Sequence, residues 1–203
     1  YPRPNTDVIA AARASMTPPP RPDFFHGREE ELGRVLRPLL AGHPMLVRGA
    51  PGMGKTTLLA AVATHERTRQ RFRHIWWIDS PQRLFQTLAL AFNLPHVLSS
   101  AEPDAQRSLL AKQLDEHTLL ILDNVRPGDP ALAGLADLEA IRRLTPHVLV
   151  AVEETPEDPD PDEPPTDPEN MVTLRALGAE HALEVLAHYA ALDDIRRIRA
   201  EVR

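Results

Sequence analysis

Cysteine is absent from all 203 residues. That excludes disulfides, thiolate metal sites and cysteine nucleophiles, and it fits a reducing compartment, so a cytoplasmic location is expected. Lysine is nearly absent: Lys55 and Lys112 stand against a large excess of arginine. No apolar run approaches the roughly 20 residues that a membrane helix needs, no stretch has the pattern of a secretory signal, and no internal repeat is present. A membrane partner is therefore not expected. The net charge of −6 argues against a general nucleic-acid surface. The local basic run Arg67, Arg69, Arg71 and Arg73 does not change this, because alternate-residue spacing at a helix end scatters charge around the axis.

What is present is a chain with 42% hydrophobic residues, enough for one good-sized core and an appendage. Much of the acidity lies in Glu153–Asn170, which holds nine acidic residues and six prolines and reads as a solvated, flexible loop. The chain starts at Tyr1 and stops at Arg203 within a helical pattern, so a fragment of a longer protein is expected.

The informative stretch is Gly49-Ala50-Pro51-Gly52-Met53-Gly54-Lys55-Thr56-Thr57. It fits G-x-x-x-x-G-K-[ST], the phosphate-binding loop of P-loop NTPases. Met45, Leu46 and Val47 read as a buried strand before it, and Thr57–Ala63 as a helix after it. In that context the glycines let backbone N–H groups turn inward around an anion, and the helix directs its positive end at the phosphates. Lys55 supplies a compact charge for the β- and γ-phosphates, and the Thr56 hydroxyl suits Mg²⁺.

Elsewhere, Thr6–Ala14 can form two helical turns, and Thr17–Pro22 reads as a proline-rich linker. The expected division is 1–22 as N-terminal segment and linker, 23–175 as a nucleotide-binding domain, and 176–203 as the start of a helical subdomain. A helix with Leu32, Val35, Leu36, Leu39 and Leu40 on one face begins near Glu29. His74–Asp79 reads as a second strand carrying both tryptophans, one for the core and one for the sheet edge. Helices are expected over 81–94 and 103–116, the latter with Leu109, Leu110 and Leu114 inward. Thr118–Asp123 is a near-continuous apolar strand, the character of a strand buried on both faces of a parallel sheet. Asp123 at its carboxyl end lies on the ligand side of such a sheet and is the candidate Walker B aspartate for Mg²⁺. A helix over 132–144, a strand over 146–152 and a short strand Met171–Leu174 follow. Ala179–Tyr189 is amphipathic through Leu183, Leu186 and Tyr189, with His181 and His188 as surface residues. Five strands alternating with helices give a doubly wound α/β fold, a three-layer sandwich.

Three segments together resemble the STAND class of P-loop signal-transduction ATPases, which includes the NB-ARC proteins. Phe25-His26-Gly27-Arg28-Glu29-Glu30-Glu31 resembles the hhGRxxE motif ahead of their phosphate loop. Leu119–Val125 resembles their Walker B strand, and Leu174–Leu177 with Glu180, Ala182 and Leu186 resembles the lead into their helical subdomain. The resemblance implies sheet order 5-1-4-3-2 and ATP/ADP with Mg²⁺ as ligands. It implies nucleotide contacts from Phe25, Gly27 and Arg28 at adenine and ribose, and from Pro51, Gly52, Met53, Gly54, Lys55, Thr56 and Thr57 at the phosphates. It also implies Lys55 and Asp123 as catalytic groups, Thr56 and Asp123 as metal ligands, and a switch in which exchange of ADP for ATP drives self-association, with sensor and effector domains elsewhere.

Departures from the pattern are His26 at an apolar position, Asn124 where many relatives carry a second acid, and Ala151-Val152-Glu153 where a Thr-Thr-Arg sensor often stands. An amide is no base at neutral pH, so slow hydrolysis is expected. Glu153 is expected to turn away from the phosphates or to join the acidic loop. The alternatives are an AAA+-type motor or loader ATPase, which shares the fold, and an interaction module with a vestigial phosphate loop. Arg142 and Arg143 are the candidate arginine fingers for the motor.

Overall fold

The computed structural model describes residues 6–79, 84–94, 108–126, 145, 147–153 and 169–201, the last eleven as backbone only. The helix expected over 132–144, with Arg142 and Arg143, lies outside these residues. So do most of the acidic loop and parts of the helices expected over 81–94 and 103–116.

In chain order the elements are α1 (Thr6–Ala14), α2 (Glu29–Leu40), β1 (Met45–Gly49), α3 (Lys55–Thr64), α4 (Glu66–Arg71), β2 (His74–Ile78), α5 (Leu84–Ala91), β3 (Thr118–Val125), β4 (Val148–Glu153), β5 (Met171–Thr173) and α6 (Ala179–Glu201). The strands form one sheet in the order β2-β3-β4-β1-β5. Every pair of neighbours is parallel. This is the expected 5-1-4-3-2 order, with β4 between the phosphate-loop strand and the Asp123 strand.

Side-chain alternation explains why the central strands read as unbroken apolar runs. Leu119 and Ile121 of β3, Leu149 and Ala151 of β4, and Met45 and Val47 of β1 pack against α2 and α3 through Val35, Leu39, Leu58 and Val62. Leu120 and Leu122, with Val148 and Val150, point to the other face and meet Leu84, Leu88, Leu110 and Leu114. Along Leu119–Leu122 of β3 and Val148–Ala151 of β4 both faces exclude water, so those positions do not select for polarity. Helix α2 buries Val35, Leu36 and Leu39. Its three first-turn glutamates complement the helix dipole.

The edge strand β2 is covered from an unexpected direction. Met16 is fully buried in the α5-side core, and its carbonyl accepts a 2.8 Å bond from Trp77 N. Arg13 Nε donates to Ala91 O at 2.9 Å, fastening α1 onto α5. Burying a methionine side chain contributes about 1.5–3 kcal/mol, so this N-terminal segment adds to the stability of the sheet. Trp77 is buried, while Trp76 stacks on His74 and meets Phe92 edge-on, the division of labour expected for the pair.

Two inward faces differ from expectation. Leu110 and Leu114 are buried but Leu109 is exposed; the chain leaves the helical conformation after 111, so the three leucines do not share one helical face. On α6, Leu183, Leu186 and Tyr189 are the exposed side and His181 and His188 the contacting one. The partner decides the face: residues 24–27 present Phe24, which stacks on His188 at 4.3 Å, and His26, which pairs with Glu184 and lies edge-on to His181. Among the described residues no helix is long and apolar enough to cross a membrane.

At the opposite end of the sheet from the phosphate loop, His147 is 3% exposed. Arg71 Nη2 donates to its Nε2 at 3.3 Å, and the Phe72 ring packs against it edge-on. Burial, then the Arg71 charge, holds its pKa below the ordinary 6.5. The unfolded chain therefore takes up a proton here that the folded one refuses. This contribution to stability is complete above about pH 6.5 and declines as pH falls toward the lowered folded value. Thermal unfolding followed from pH 7.5 to 5.5 is expected to show a falling Tm whose slope is reduced in His147→Gln; an equal slope in the two proteins would assign the acid sensitivity to other groups.

Candidate functional site

The carboxyl ends of β1, β3 and β4 converge, and the candidate site lies there, outside the strand ends where an open parallel sheet binds ligands. Gly49 ends β1. A Cβ at Gly49 would lie 2.9 Å from Leu174 O, so only glycine admits the close approach of the chain leaving β5. Leu174 N donates to Arg48 O at 2.7 Å, which fixes that approach. The loop then turns into α3 through Gly54, whose φ of 86° would strain a side-chain-bearing residue. Leu58, Leu59 and Val62 anchor α3 on the sheet, so its N-terminus is held rigidly over the strand ends.

Three residues predicted from the sequence meet at this point. Thr56 Oγ1 donates to Asp123 Oδ2 at 2.8 Å. Asp123 Oδ1 accepts from Asn124 N at 2.9 Å. Lys55 Nζ bonds Gly49 O at 2.7 Å and Ala50 O at 2.8 Å, which curls the ammonium back over the loop. A cation on this loop thus sits beside the positive end of α3, where an anion would satisfy both.

A bulge aims Asp123. Between Leu122 and Val125, β3 advances three residues while β4 advances two, from Val150 to Val152. The extra residue bends the strand end, as bulges near functional sites do. Asn124 absorbs the bend at φ 57°, a left-handed conformation that asparagine tolerates better than most residues. Asn124 is exposed, whereas Asp123 is 2% exposed.

The donor set fits Mg²⁺. Thr56 and Asp123 offer two hard oxygens in hydrogen-bond contact, and no cluster of three or more His, Cys, Asp or Glu able to hold a metal exists among the described residues. A cation that keeps most of its water and binds through one or two protein oxygens plus phosphates matches such a site; an all-protein cage does not.

The remaining predicted residues surround the loop. Pro51 and Gly52 are exposed at its tip, and Thr57 is exposed on the first turn of α3. Met53 packs against the α3-side core. Phe25 packs there too and, with Arg21, Pro22, Asp23 and Phe24, lines a cleft of about 450 Å³. Gly27 lies directly beneath His181. The Arg28 guanidinium donates to Glu31 Oε1 at 2.7 Å, to Met53 O at 3.3 Å and to Arg175 O. Glu153 ends β4 in register with Gly49, and its Oε2 lies 3.6 Å from Arg126 Nε, an exposed ion pair at the rim.

Sequence reasoning missed Arg21 and Phe24 of the cleft, the contacts of Arg28 with Glu31 and Arg175, and the histidine contacts of α6. The Arg28–Glu31 contact carried a signal, since Glu31 closes the Gly-Arg motif at helix-neighbour spacing from Arg28.

The family described as "AAA ATPase domain" matches residues 25–196. A search of curated proteins finds no match. Among solved structures, C. elegans PCH-2 is similar at a TM-score of 0.43 and 15% identity, over 84% of this chain and 46% of that one. The chain thus spans under half the length of that protein.

Asp123→Asn keeps the shape of the side chain and an acceptor for Thr56, so the fold is expected to persist. Affinity for Mg-ADP should fall about tenfold or more, roughly 1.4 kcal/mol, to the metal-free level. Calorimetric titration with and without Mg²⁺ measures this; a metal dependence unchanged in Asp123→Asn would remove that residue from the metal site.

Proposed function

The chain belongs to the AAA ATPase domain family, and from that premise we propose that it is the nucleotide-binding part of a STAND-type regulatory switch, holding Mg-ADP or Mg-ATP and hydrolysing ATP slowly. The observation that carries the reading is the Thr56–Asp123 contact at the N-terminus of α3 beside Lys55. Phosphates are recognised by the loop N–H groups and by Lys55, which exchanges its carbonyl partners for phosphate oxygens. Mg²⁺, held by Thr56 and Asp123, would neutralise charge on those phosphates. In this reading the base lies on the side of Phe25, as the resemblance of its segment implies; Phe25 also lines the cleft. Adenine as that base rests on the family and on the resemblance of Phe25–Glu31.

Slow hydrolysis follows from Asn124. The position after Asp123 carries an amide that cannot take a proton from water, and its φ of 57° gives it a backbone role in the bulge. A bound γ-phosphate then acts by shifting a conformational population rather than by rapid turnover. Self-association in the ATP state, with sensor and effector domains elsewhere in the full protein, completes the proposal.

The second reading, an AAA-type motor, is equally compatible with the family match. It requires fast chemistry and an arginine supplied in trans.

Steady-state ATPase assays paired with sedimentation in ATP and in ADP separate the two. The switch reading expects turnover far below the roughly 1–10³ s⁻¹ of ordinary enzymes and a larger assembly in ATP than in ADP. It also expects Asn124→Asp, which tolerates the same backbone conformation, to raise turnover about tenfold or more. Fast turnover by the unaltered chain, lost in Lys55→Ala and without nucleotide-dependent assembly, would favour the motor.

A further inference from the structure

Arg28 joins three parts of the chain that are distant in sequence. It precedes α2, and its side chain, 11% exposed, is held by Glu31 from the same helix. One nitrogen of its guanidinium reaches both Met53 O of the phosphate loop and Arg175 O of the segment between β5 and α6. That segment is itself fixed against the loop, because Leu174 bonds Arg48 and abuts Gly49. The planar fork of arginine, unlike a lysine ammonium, can serve the carboxylate with one arm and two carbonyls with the other.

The Met53–Gly54 peptide is trans, like every described peptide in the chain. Its carbonyl and its N–H therefore point in opposite directions within one plane. Fixing Met53 O on the Arg28 side fixes Gly54 N–H on the other side, at the residue that leads directly into Lys55. Gly54 is the position where rotation is otherwise least restrained, since glycine populates both signs of φ.

We infer that Arg28 is a positioning residue for phosphate recognition: it orients the Met53–Gly54 peptide so that Gly54 N–H faces the phosphates, and through Arg175 it ties that orientation to the seat of α6. This rests on the phosphate-loop reading above. It differs from the role the motif resemblance implies, because Arg28 then acts on the phosphate loop and not on the base or ribose. Loosening the 173–175 segment would release one of the carbonyls that hold the guanidinium, so movement of α6 and weakening of phosphate binding are linked.

The test uses a ligand with no base or sugar. Mg-tripolyphosphate and Mg-ADP are titrated into the full 203-residue chain and into Arg28→Lys and Arg28→Ala, with circular dichroism and Tm recorded for each. The expected result is at least a tenfold loss of tripolyphosphate affinity in folded Arg28→Ala, a similar loss for ADP, and a smaller loss in Arg28→Lys, which keeps the charge but not the fork. If Arg28→Ala does not fold, Arg28→Lys carries the test. Undiminished tripolyphosphate binding with ADP weakened would overturn the inference and place Arg28 at the base or ribose. Undiminished binding of both ligands with only Tm lowered would overturn it in favour of a purely structural brace. An unaltered chain that binds neither ligand would overturn the nucleotide reading itself, and this inference with it.

Discussion

The contact between the Thr56 hydroxyl and the Asp123 carboxylate is the point on which the structure turns. It joins the first turn of α3 to the end of β3, two strands away from the strand that feeds the loop. Parallel pairing makes this possible, because it brings the carboxyl ends of β1, β3 and β4 to one edge of the sheet. Burial of the sheet on both faces keeps those ends from shifting. The bulge at Asp123–Asn124 then supplies the last adjustment, turning the carboxylate toward α3 while Asn124 takes the strained conformation and faces out.

Around this contact the chain builds a support from segments that lie far apart in sequence. The exit of β5 presses on Gly49, Arg28 spans the loop and Arg175, and α6 rests on residues 24–27 through His181, Glu184 and His188. The phosphate loop is therefore not an isolated turn. Arg28 and the chain leaving β5 touch it directly, and the same stretch of chain leads into α6.

The sequence revealed the parts of this arrangement that depend on local chemistry. The loop could be read because glycine, lysine and threonine each have a separate task at fixed spacing, and β3 because Leu119–Leu122, buried on both faces, make an apolar run that ends at Asp123. Strand order was not local. Apolar runs do not name their neighbours, and the order came from the likeness of Phe25–Glu31 and Leu119–Val125 to a known class. The bulge was also hidden, since an asparagine after an aspartate reads as a missing acid before it reads as a left-handed residue. The face of α6 was misread because periodicity shows that a helix has a stripe but not which stripe finds a partner. Here Phe24 and His26 chose His188 and His181, leaving Leu183, Leu186 and Tyr189 exposed. The burial of Met16 had no signal either, because the prolines after it mask its attachment to the edge of β2.

The central claim is that one nucleotide-phosphate site is assembled around Lys55, Thr56 and Asp123. The most direct measurement is a calorimetric titration of Mg-ADP into the unaltered chain and into Lys55→Ala. The account predicts saturable one-to-one binding to the former and loss of that binding in the latter, with the fold retained. Absence of binding to the unaltered chain, or binding that Lys55→Ala leaves intact, would contradict it.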